Sequence, residues 1–207
     1  MNKLISILKA NFNDIIKPVI VLLTICIVIP LALSVTNKVT EKRIEDLIIK
    51  NQNDTMLKLI DADTFFKETF SDDNESFEFQ KAKKKGETVG YIFLTSAKGY
   101  GGTVTVMTAI GTDGRIIDIA ITEAPDETPG LGQNVTKETF YSQYKDKTSG
   151  VQVVKGGNGG ENTVDAVTGA TISSRAVNTA VTKALENFSA YSNAEFIDTE
   201  VTASEKQ

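Results

Sequence analysis

The sequence predicts an α+β protein, in which a single N-terminal transmembrane helix and a stalk precede a compact domain of antiparallel strands with flanking helices. Three observations lead to this fold class. A 20-residue segment near the N-terminus carries no charge, strand-like segments meet at glycine-containing turns, and a late segment has a helical stripe of apolar residues. A chain of 207 residues has room for one main domain besides the anchor.

The uncharged segment runs from residue 18 to residue 37 and predicts the transmembrane helix. At about 1.5 Å per residue it reaches roughly 30 Å, the thickness of a bilayer core. A cleaved signal peptide is the alternative, with Ala32–Ser34 as a weak cleavage site. The uncleaved anchor is favoured, because an amphipathic pattern continues directly after the segment. Cys26 is expected to be a packed thiol, since it is not preceded by the small residues of a lipoprotein signal.

The charges on either side of this segment predict its orientation. Residues 1–17 hold three lysines against Asp14, and short basic ends remain in the cytoplasm. Lys38, Lys42 and Arg43 follow the segment, so the asymmetry is modest. We expect residues 1–17 to be cytoplasmic and the chain from about residue 38 onward to be extracytoplasmic.

Beyond the anchor, the patterns divide the chain into three parts. Apolar residues at helical spacing predict a juxtamembrane helical stalk over residues 38–64. The compact domain is expected over residues 65–190. Residues 191–207 are expected to form a polar C-terminal tail, of which residues 199–207 are expected to be disordered.

Turn residues and periodicity predict the elements of the domain. Two strands are expected within residues 77–96 around a Lys-Gly-Glu turn, and a hairpin within residues 101–124 around Asp113-Gly114. A helix is expected over residues 134–146, with Asn134 or Thr136 as its cap. The remaining expectations are a short strand at 151–154, a flexible loop at 155–165 and a closing helix at 173–192 with an apolar stripe.

The composition excludes several classes of function. The chain has no histidine, which removes the commonest general base and metal ligand. A single cysteine cannot form an intrachain disulfide or a thiolate metal cage, so no metal site is expected. The net charge of −5, without a basic run, argues against a nucleic-acid partner. No catalytic residue is identified, and this favours a carrier over an enzyme with its own substrate site.

Small residues concentrate in three segments, at residues 97–102, 127–132 and 168–171. Taken singly, each is compatible with an ordinary loop. The third segment, Thr-Gly-Ala-Thr, lies at the start of the closing helix, where unpaired amides and a partial positive charge suit a phosphate. No lysine follows with phosphate-loop spacing, so a mononucleotide phosphate is a better expectation than a nucleoside triphosphate.

The segment "DAVTGAT", residues 165–171, resembles the flavinylation signal Asp-x-x-(Ser/Thr)-Gly-Ala-Thr of the covalent FMN-binding domain family. The segments "GYGG", "DGRI" and "ETPGLG" are similar to the same family and follow in the same chain order. The resemblance covers roughly residues 65–190. It implies FMN as the cofactor, held by a phosphoester bond to the final threonine of the signal, Thr171.

The resemblance also implies roles for further residues. Asp165 would be recognised by a flavin transferase, which makes the bond from FAD and releases AMP. The other expected cofactor contacts are Tyr100, Glu127, Thr128, Leu131, Gly132, Thr168, Gly169 and Ala170. The glycines of the "AKGYGG" and "ETPGLG" segments are expected to permit close approach of a redox partner.

Within the family, one span, a stalk and one FMN domain are similar to the G subunits of Rnf ion-translocating ferredoxin–NAD oxidoreductase complexes. This implies an electron-transfer subunit whose partners are other membrane and redox subunits, the flavin transferase and membrane lipid. The C subunits of Na⁺-translocating NADH–quinone reductases rank second, followed by a stand-alone extracytoplasmic flavinylated carrier. A membrane-anchored mononucleotide-binding module without redox chemistry is the alternative from a different class.

Overall fold

The computed structural model describes residues 12–72, 75–157 and 159–204. The chain divides into two units, one up to Asn51 and one from Gln52 onward. Helix α1 spans Phe12–Leu59. The first eleven residues of the expected cytoplasmic segment lie outside the described residues, and the predicted domain bounds remain predictions.

One part of α1, Ile16–Lys38, is long and apolar enough to cross a membrane, with a mean hydropathy of 2.8. Its leucine, isoleucine and valine side chains are exposed from Val19 to Val35, which suits an apolar solvent. The hydroxyl of Thr24 donates to the carbonyl of Ile20, and that of Thr36 donates to the carbonyl of Ala32. These polar side chains are therefore satisfied within the helix itself, as a lipid environment requires.

The second unit is built on a five-stranded antiparallel sheet in the order β1-β2-β3-β4-β5. The strands are Thr64–Ser71, Ser76–Lys84, Glu87–Lys98, Thr103–Gly111 and Ile116–Glu123. Consecutive strands are neighbours because short turns connect them. The β2–β3 turn has Lys85 and Gly86 at positive φ, and the β4–β5 turn has Gly114 at φ 79°. The two hairpins predicted at these turns are confirmed.

Both faces of this sheet are covered. On one face, Phe93 and Val106 pack with Val177 and Val181 of helix α3, which spans Thr171–Ser204. On the other face, the end of α1 contributes Met56 and Leu59, and the following Ile60 packs with them. Strand β4 is accordingly buried along most of its length, as expected for a strand covered on both sides.

The expected single helix over residues 134–146 is wrong. This region forms a 3₁₀ turn at Gly132–Thr136, the short helix α2 at Glu138–Tyr141 and another 3₁₀ turn at Ser142–Tyr144. Lys137 has extended backbone angles, φ −80° and ψ 143°, and so separates the first two pieces. Neither proposed residue caps a helix: Asn134 donates to the Gly130 carbonyl, and Thr136 donates to the Gln133 carbonyl.

Two segments are more regular than expected. Part of the predicted loop, Thr163–Asp165, forms strand β7, which pairs in parallel with strand β6 at Gln152–Val154. Helix α3 continues through the predicted tail to Ser204, while residues 205–207 lie outside the described residues. The sequence after residue 190 contains no proline or glycine, so no residue in it forces the helix to end.

Candidate functional site

A cavity of about 680 Å³ lies where the start of α3 meets the loops after β3, β5 and β6. Its volume falls within the roughly 300–1,000 Å³ typical of cofactor pockets. The structure brings every predicted cofactor contact to this one cavity, together with the predicted attachment residue. The lining residues from that prediction are Tyr100, Glu127, Thr128, Leu131, Gly132, Thr168, Gly169, Ala170 and Thr171.

A tight turn places Thr171 at the first position of α3. The amide of Ala170 donates to the carbonyl of Val167 at 2.9 Å, with Gly169 at φ 78° in the third position of the turn. A positive φ there is the type II geometry, which glycine adopts without strain. A side chain at Gly169 would also approach Leu131 Cδ2 to 3.0 Å. The residues of this turn and the first three residues of the helix, through Ser173, all line the same cavity.

Ser174 fastens this turn to the helix, a role the sequence did not reveal. Its buried hydroxyl accepts the amide of Val167 at 3.0 Å and donates to the carbonyl of Ala170 at 3.0 Å. The amide of Ser174 also donates to the Ala170 carbonyl, at 2.9 Å. A serine in the first turn of the helix was the available signal, because such side chains bond readily to nearby backbone.

Glu127 is buried in the wall of the cavity, with 1% of its surface exposed. Its Oε1 accepts the amides of Tyr100 and Gly101, at 2.8 and 3.4 Å. Its Oε2 accepts the hydroxyl of Ser173 at 2.6 Å. Both carboxylate oxygens are thus engaged by the protein, and the side chain ties two loops to the first turn of α3.

Glycines in the segments at residues 97–102 and 127–132, here called the two rim loops, leave space for the Glu127 side chain and for the close approach of the two backbones. A Cβ at Gly99 would lie 2.1 Å from Glu127 Oε1, and a Cβ at Gly132 would lie 2.2 Å from Oε2. A Cβ at Gly101 would lie 1.7 Å from the Asp126 carbonyl oxygen. These glycines therefore have an internal packing role. Close approach of a redox partner at the same loops stays a prediction.

Asp165, the predicted recognition residue, does not line the cavity. It ends β7, where its Oδ1 accepts the amide of Gly157 at 2.8 Å. Gln143 holds its backbone, with Oε1 accepting the Asp165 amide at 2.8 Å. The carboxylate therefore contacts the glycine-rich loop between β6 and β7.

Six further residues line the cavity and were not predicted from the sequence: Lys155, Gly156, Ala166, Val167, Ile172 and Ser173. Among the described residues that line the cavity, Lys155 is the one cation. Its place in the chain, directly after a short strand and before a run of glycines, was the signal that could have identified it.

The mouth of the cavity is apolar. Tyr100, Leu131 and Ile172 are 70%, 47% and 54% exposed, and all three line the cavity. Apolar walls suit a flat aromatic ring system, while the Thr171 hydroxyl, the helix amides and Lys155 suit a phosphate. The donor set therefore fits a flavin mononucleotide. Among the described residues, no group of three or more His, Cys, Asp or Glu side chains could hold a metal ion.

Comparisons with known proteins agree with this chemistry. The FMN-binding domain family matches residues 99–186. The G subunit of the proton-translocating ferredoxin:NAD(+) oxidoreductase complex of Clostridium ljungdahlii is 37% identical over 144 residues, or 69% of this chain and 75% of that protein. The G subunit of the Na(+)-translocating ferredoxin:NAD(+) oxidoreductase complex of Acetobacterium woodii is 30% identical over 195 residues, or 86% of this chain and 93% of that protein.

Solved structures share the fold. The C subunit of the Na(+)-translocating NADH-quinone reductase from Parabacteroides distasonis superposes with a TM-score of 0.50 at 24% identity. The match covers 56% of this chain and 63% of that one.

Proposed function

Since this chain belongs to the family of FMN-binding G subunits of ion-translocating ferredoxin:NAD(+) oxidoreductases, we propose that it is the membrane-anchored electron carrier of such a complex. The observation that carries this proposal is the position of Thr171. Its side chain opens helix α3 and lines a cavity that combines phosphate donors with an apolar mouth. When bound, FMN supplies the capacity to accept electrons from one redox centre and to pass them to another.

Thr171 is the proposed site of covalent attachment. A flavin transferase would join the Thr171 Oγ to the phosphorus of the FMN half of FAD, while the phosphoanhydride bond to AMP breaks and the hydroxyl proton is released. The turn at Gly169 fixes where this hydroxyl stands, and the first amides of α3 stabilise the negative charge of the resulting diester. A covalent bond also retains the cofactor on a domain that faces away from the cytoplasm.

The remaining cavity residues bind and orient the cofactor. Leu131, Ile172 and Tyr100 provide apolar surface for the ring system, and Thr128, Thr168, Ala170 and Gly132 complete the walls. Glu127 holds the two rim loops against α3 and so acts as a positioning residue. Asp165 is the proposed recognition residue for the transferase.

The anchor determines where the carrier works. We place the apolar part of α1 in membrane lipid, the N-terminus in the cytoplasm and the FMN domain on the opposite side. The loops that carry Tyr100 and Leu131 are the proposed docking rim for neighbouring redox subunits. Ferredoxin and NAD would bind to those partner subunits.

Complementation tests this function. In membranes of a strain lacking this chain, ferredoxin-dependent reduction of NAD⁺ should be lost and should return with the wild-type chain. Thr171→Ala should not restore it, whereas the matched control Thr136→Ala should, because Thr136 is an exposed threonine outside the cavity. Normal NAD⁺ reduction without the chain would contradict the carrier role. Loss of NADH–quinone reductase activity instead would assign the chain to the alternative complex.

A further inference from the structure

We propose that Lys155 is the cation that binds the phosphate of the flavin, and that Asp165 positions Lys155 through the amide of Gly157. The inference rests on the proposed FMN site at Thr171 and adds to it the group that selects a phosphorylated flavin. It also gives Asp165 a role within this chain, beside any contact with the transferase.

The charges of the cavity lead to Lys155. The lining residues include one carboxylate, Glu127, and one ammonium group, that of Lys155. The carboxylate is buried, and its hydrogen-bond donors are two neutral amides and a neutral hydroxyl. A phosphodiester at Thr171 would add a second negative charge to the same cavity. A hydrogen bond from a cation to such an oxyanion is about twice as strong as one between neutral groups, so Lys155 is the side chain suited to hold the phosphate.

The ammonium group of Lys155 is available for this role. Among the described residues, it has no hydrogen bond or ion pair with the protein. Elsewhere in the domain, lysines pair with carboxylates, as Lys67 does with Glu78 at 2.7 Å. Lys155 has instead an exposed side chain at the edge of a cavity whose carboxylate is already engaged.

The backbone around Lys155 is held in a defined shape. Strands β6 and β7 run in parallel, with Val154 opposite Asp165, so Lys155 and Asp165 lie at the same end of the pair. The amide of Ala166 donates to the Val154 carbonyl at 2.8 Å. Gly156 and Gly157 then turn the chain with φ of 79° and 69°.

Asp165 closes this turn. Its Oδ1 accepts the Gly157 amide at 2.8 Å, and its own backbone is clamped by Gln143. The same segment continues from Asp165 through the tight turn to Thr171. Asp165 therefore links the loop that carries the cation to the residue that carries the acceptor hydroxyl, although its side chain does not reach the cavity.

A pair of ligands that differ only by a phosphate tests the role of Lys155. The full-length Thr171→Ala chain in detergent cannot form the covalent bond, so binding of free FMN and of riboflavin can be titrated by flavin fluorescence. We expect FMN to bind about tenfold more tightly than riboflavin, as one charge-assisted hydrogen bond allows. Adding Lys155→Ala should reduce this preference several-fold, to the part that the first amides of α3 supply, without changing riboflavin affinity, whereas Lys155→Arg should keep it. Lys137→Ala, an exposed lysine outside the cavity, is the matched control.

Three results of the titration have distinct meanings. An FMN preference that is unchanged by Lys155→Ala overturns the inference and leaves the flavin site intact. Equal affinities of FMN and riboflavin before any change at Lys155 also overturn it. If neither flavin binds and the wild-type chain carries no covalent flavin, the proposed function itself fails.

Asp165 is tested in the same titration. Asp165→Ala should reduce the FMN preference when Lys155 is present and have no further effect in the Lys155→Ala chain, because it acts through that lysine. Asp165→Asn keeps an acceptor oxygen for the Gly157 amide and should restore most of the preference. An unchanged FMN preference in Asp165→Ala, together with loss of covalent loading, would contradict the positioning role and leave only recognition by the transferase.

A second measurement applies if free flavins bind too weakly to titrate. In the covalently loaded wild-type chain, the Lys155 amine should react several-fold more slowly with an amine-acetylating reagent than in the Thr171→Ala apoprotein. Peptide mass spectrometry reports both rates, and Lys137 should react equally in the two proteins. Equal reactivity of Lys155 in loaded and unloaded chains would overturn the inference.

Discussion

Glu127 is the residue on which the shape of the site depends most. Its carboxylate accepts the buried hydroxyl of Ser173 and the part-buried amides of Tyr100 and Gly101. Removing it leaves these donors without that partner, at about 1–3 kcal/mol for each one that water cannot reach. The glycines at positions 99 and 132 have no side chain that could replace it. The "GYGG" and "ETPGLG" segments therefore depend on each other: Glu127 of the second accepts backbone amides of the first, and glycines of both leave room for its carboxylate.

Substitution of Glu127 tests this at the level of stability. Glu127→Ala should lower the free energy of unfolding by about 2–3 kcal/mol. Glu127→Gln should cost about 1 kcal/mol, because the amide oxygen still accepts from Tyr100 and the Ser173 hydroxyl can turn to accept from the amide nitrogen. Urea unfolding of the detergent-solubilised chain, followed by near-ultraviolet circular dichroism, measures both. Equal stability of the Ala and wild-type chains would show that the hydrogen bonds of the Glu127 carboxylate do not stabilise the fold.

For single residues, the sequence predicts those that lie within one continuous motif. It does not predict residues that are distant in the sequence and approach the motif only in the folded chain. Thr168–Thr171 could be placed at a helix start, because small residues and hydroxyls have that preference locally. The position of Lys155 between a short strand and a run of glycines marks it as a loop residue, but its place at the cavity depends on the pairing of β6 with β7. The burial of Glu127 likewise depends on contacts with Tyr100 and Ser173, which lie 27 and 46 positions away in the sequence.

Among the elements, two tight turns that lie next to each other contribute residues to the cavity. Residues 128–131 form a turn in which the Leu131 amide donates to the Thr128 carbonyl at 3.1 Å, with Gly130 at φ 75°. The turn at Gly169 has the same pattern, and the Cβ position of Gly169 lies 3.0 Å from Leu131 Cδ2. A valine at Gly130 would therefore act by straining its own turn and displacing Leu131. Such a variant alone cannot identify a docking contact with a partner subunit.

The 3₁₀ segment Ser142–Tyr144 carries a fully buried tyrosine whose titration is measurable. Burial raises the pKa of the Tyr144 phenol far above its usual value of about 10, while in the unfolded chain the pKa stays near 10. Above about pH 10 the unfolded state therefore loses a proton that the folded state keeps. The free energy of unfolding should therefore decrease as the pH rises above about 10, and the Tyr144 phenol should contribute up to about 1.4 kcal/mol per pH unit to this decrease.

Tyr144→Phe should reduce this alkaline loss of stability. The substitution removes the ionisable group at the cost of one long hydrogen bond, that from the hydroxyl to Asn178 Oδ1 at 3.4 Å. Urea midpoints between pH 8 and pH 11 measure the slope for the wild-type chain, Tyr144→Phe and the exposed-residue control Tyr100→Phe. An identical slope in the wild-type and Tyr144→Phe chains would contradict the burial argument.

Local turn chemistry explains which elements the sequence predicts. The Lys-Gly and Asp-Gly turns determine the two hairpins without reference to distant residues. The segment over residues 134–146 has a helical composition, yet Lys137 is extended and the helix is broken. Strand β7 has only three residues and forms by pairing with β6, so its own sequence gives no period to detect.

For the whole molecule, the main open prediction is its orientation. If the FMN domain is extracytoplasmic, protease added to intact spheroplasts should digest the chain beyond about residue 38 and leave the N-terminal segment protected. Inverted vesicles should give the opposite pattern. A domain that is shielded in intact spheroplasts and cut in inverted vesicles would place the flavin in the cytoplasm and refute the assignment.

The fold class and the cofactor could be predicted from the sequence because the apolar segment, the hairpin turns and the flavinylation signal are each local. Membership of a particular complex could be predicted only through the resemblance of the layout to G subunits, since the sequence holds no recognisable motif for ferredoxin or NAD. That conclusion depends on the similarity to known G subunits over most of the chain.

The central claim is that this chain carries FMN covalently on Thr171. The direct measurement is flavin fluorescence of the full-length chain in a denaturing gel, with peptide mass spectrometry of the segment that contains Thr171. The wild-type chain from cells with a flavin transferase should fluoresce, and FMN should be found on the Thr171 peptide. Thr171→Ala should be dark but folded, because it removes only a hydroxyl and a methyl group at a helix start. A fluorescent band that persists in Thr171→Ala would contradict the account.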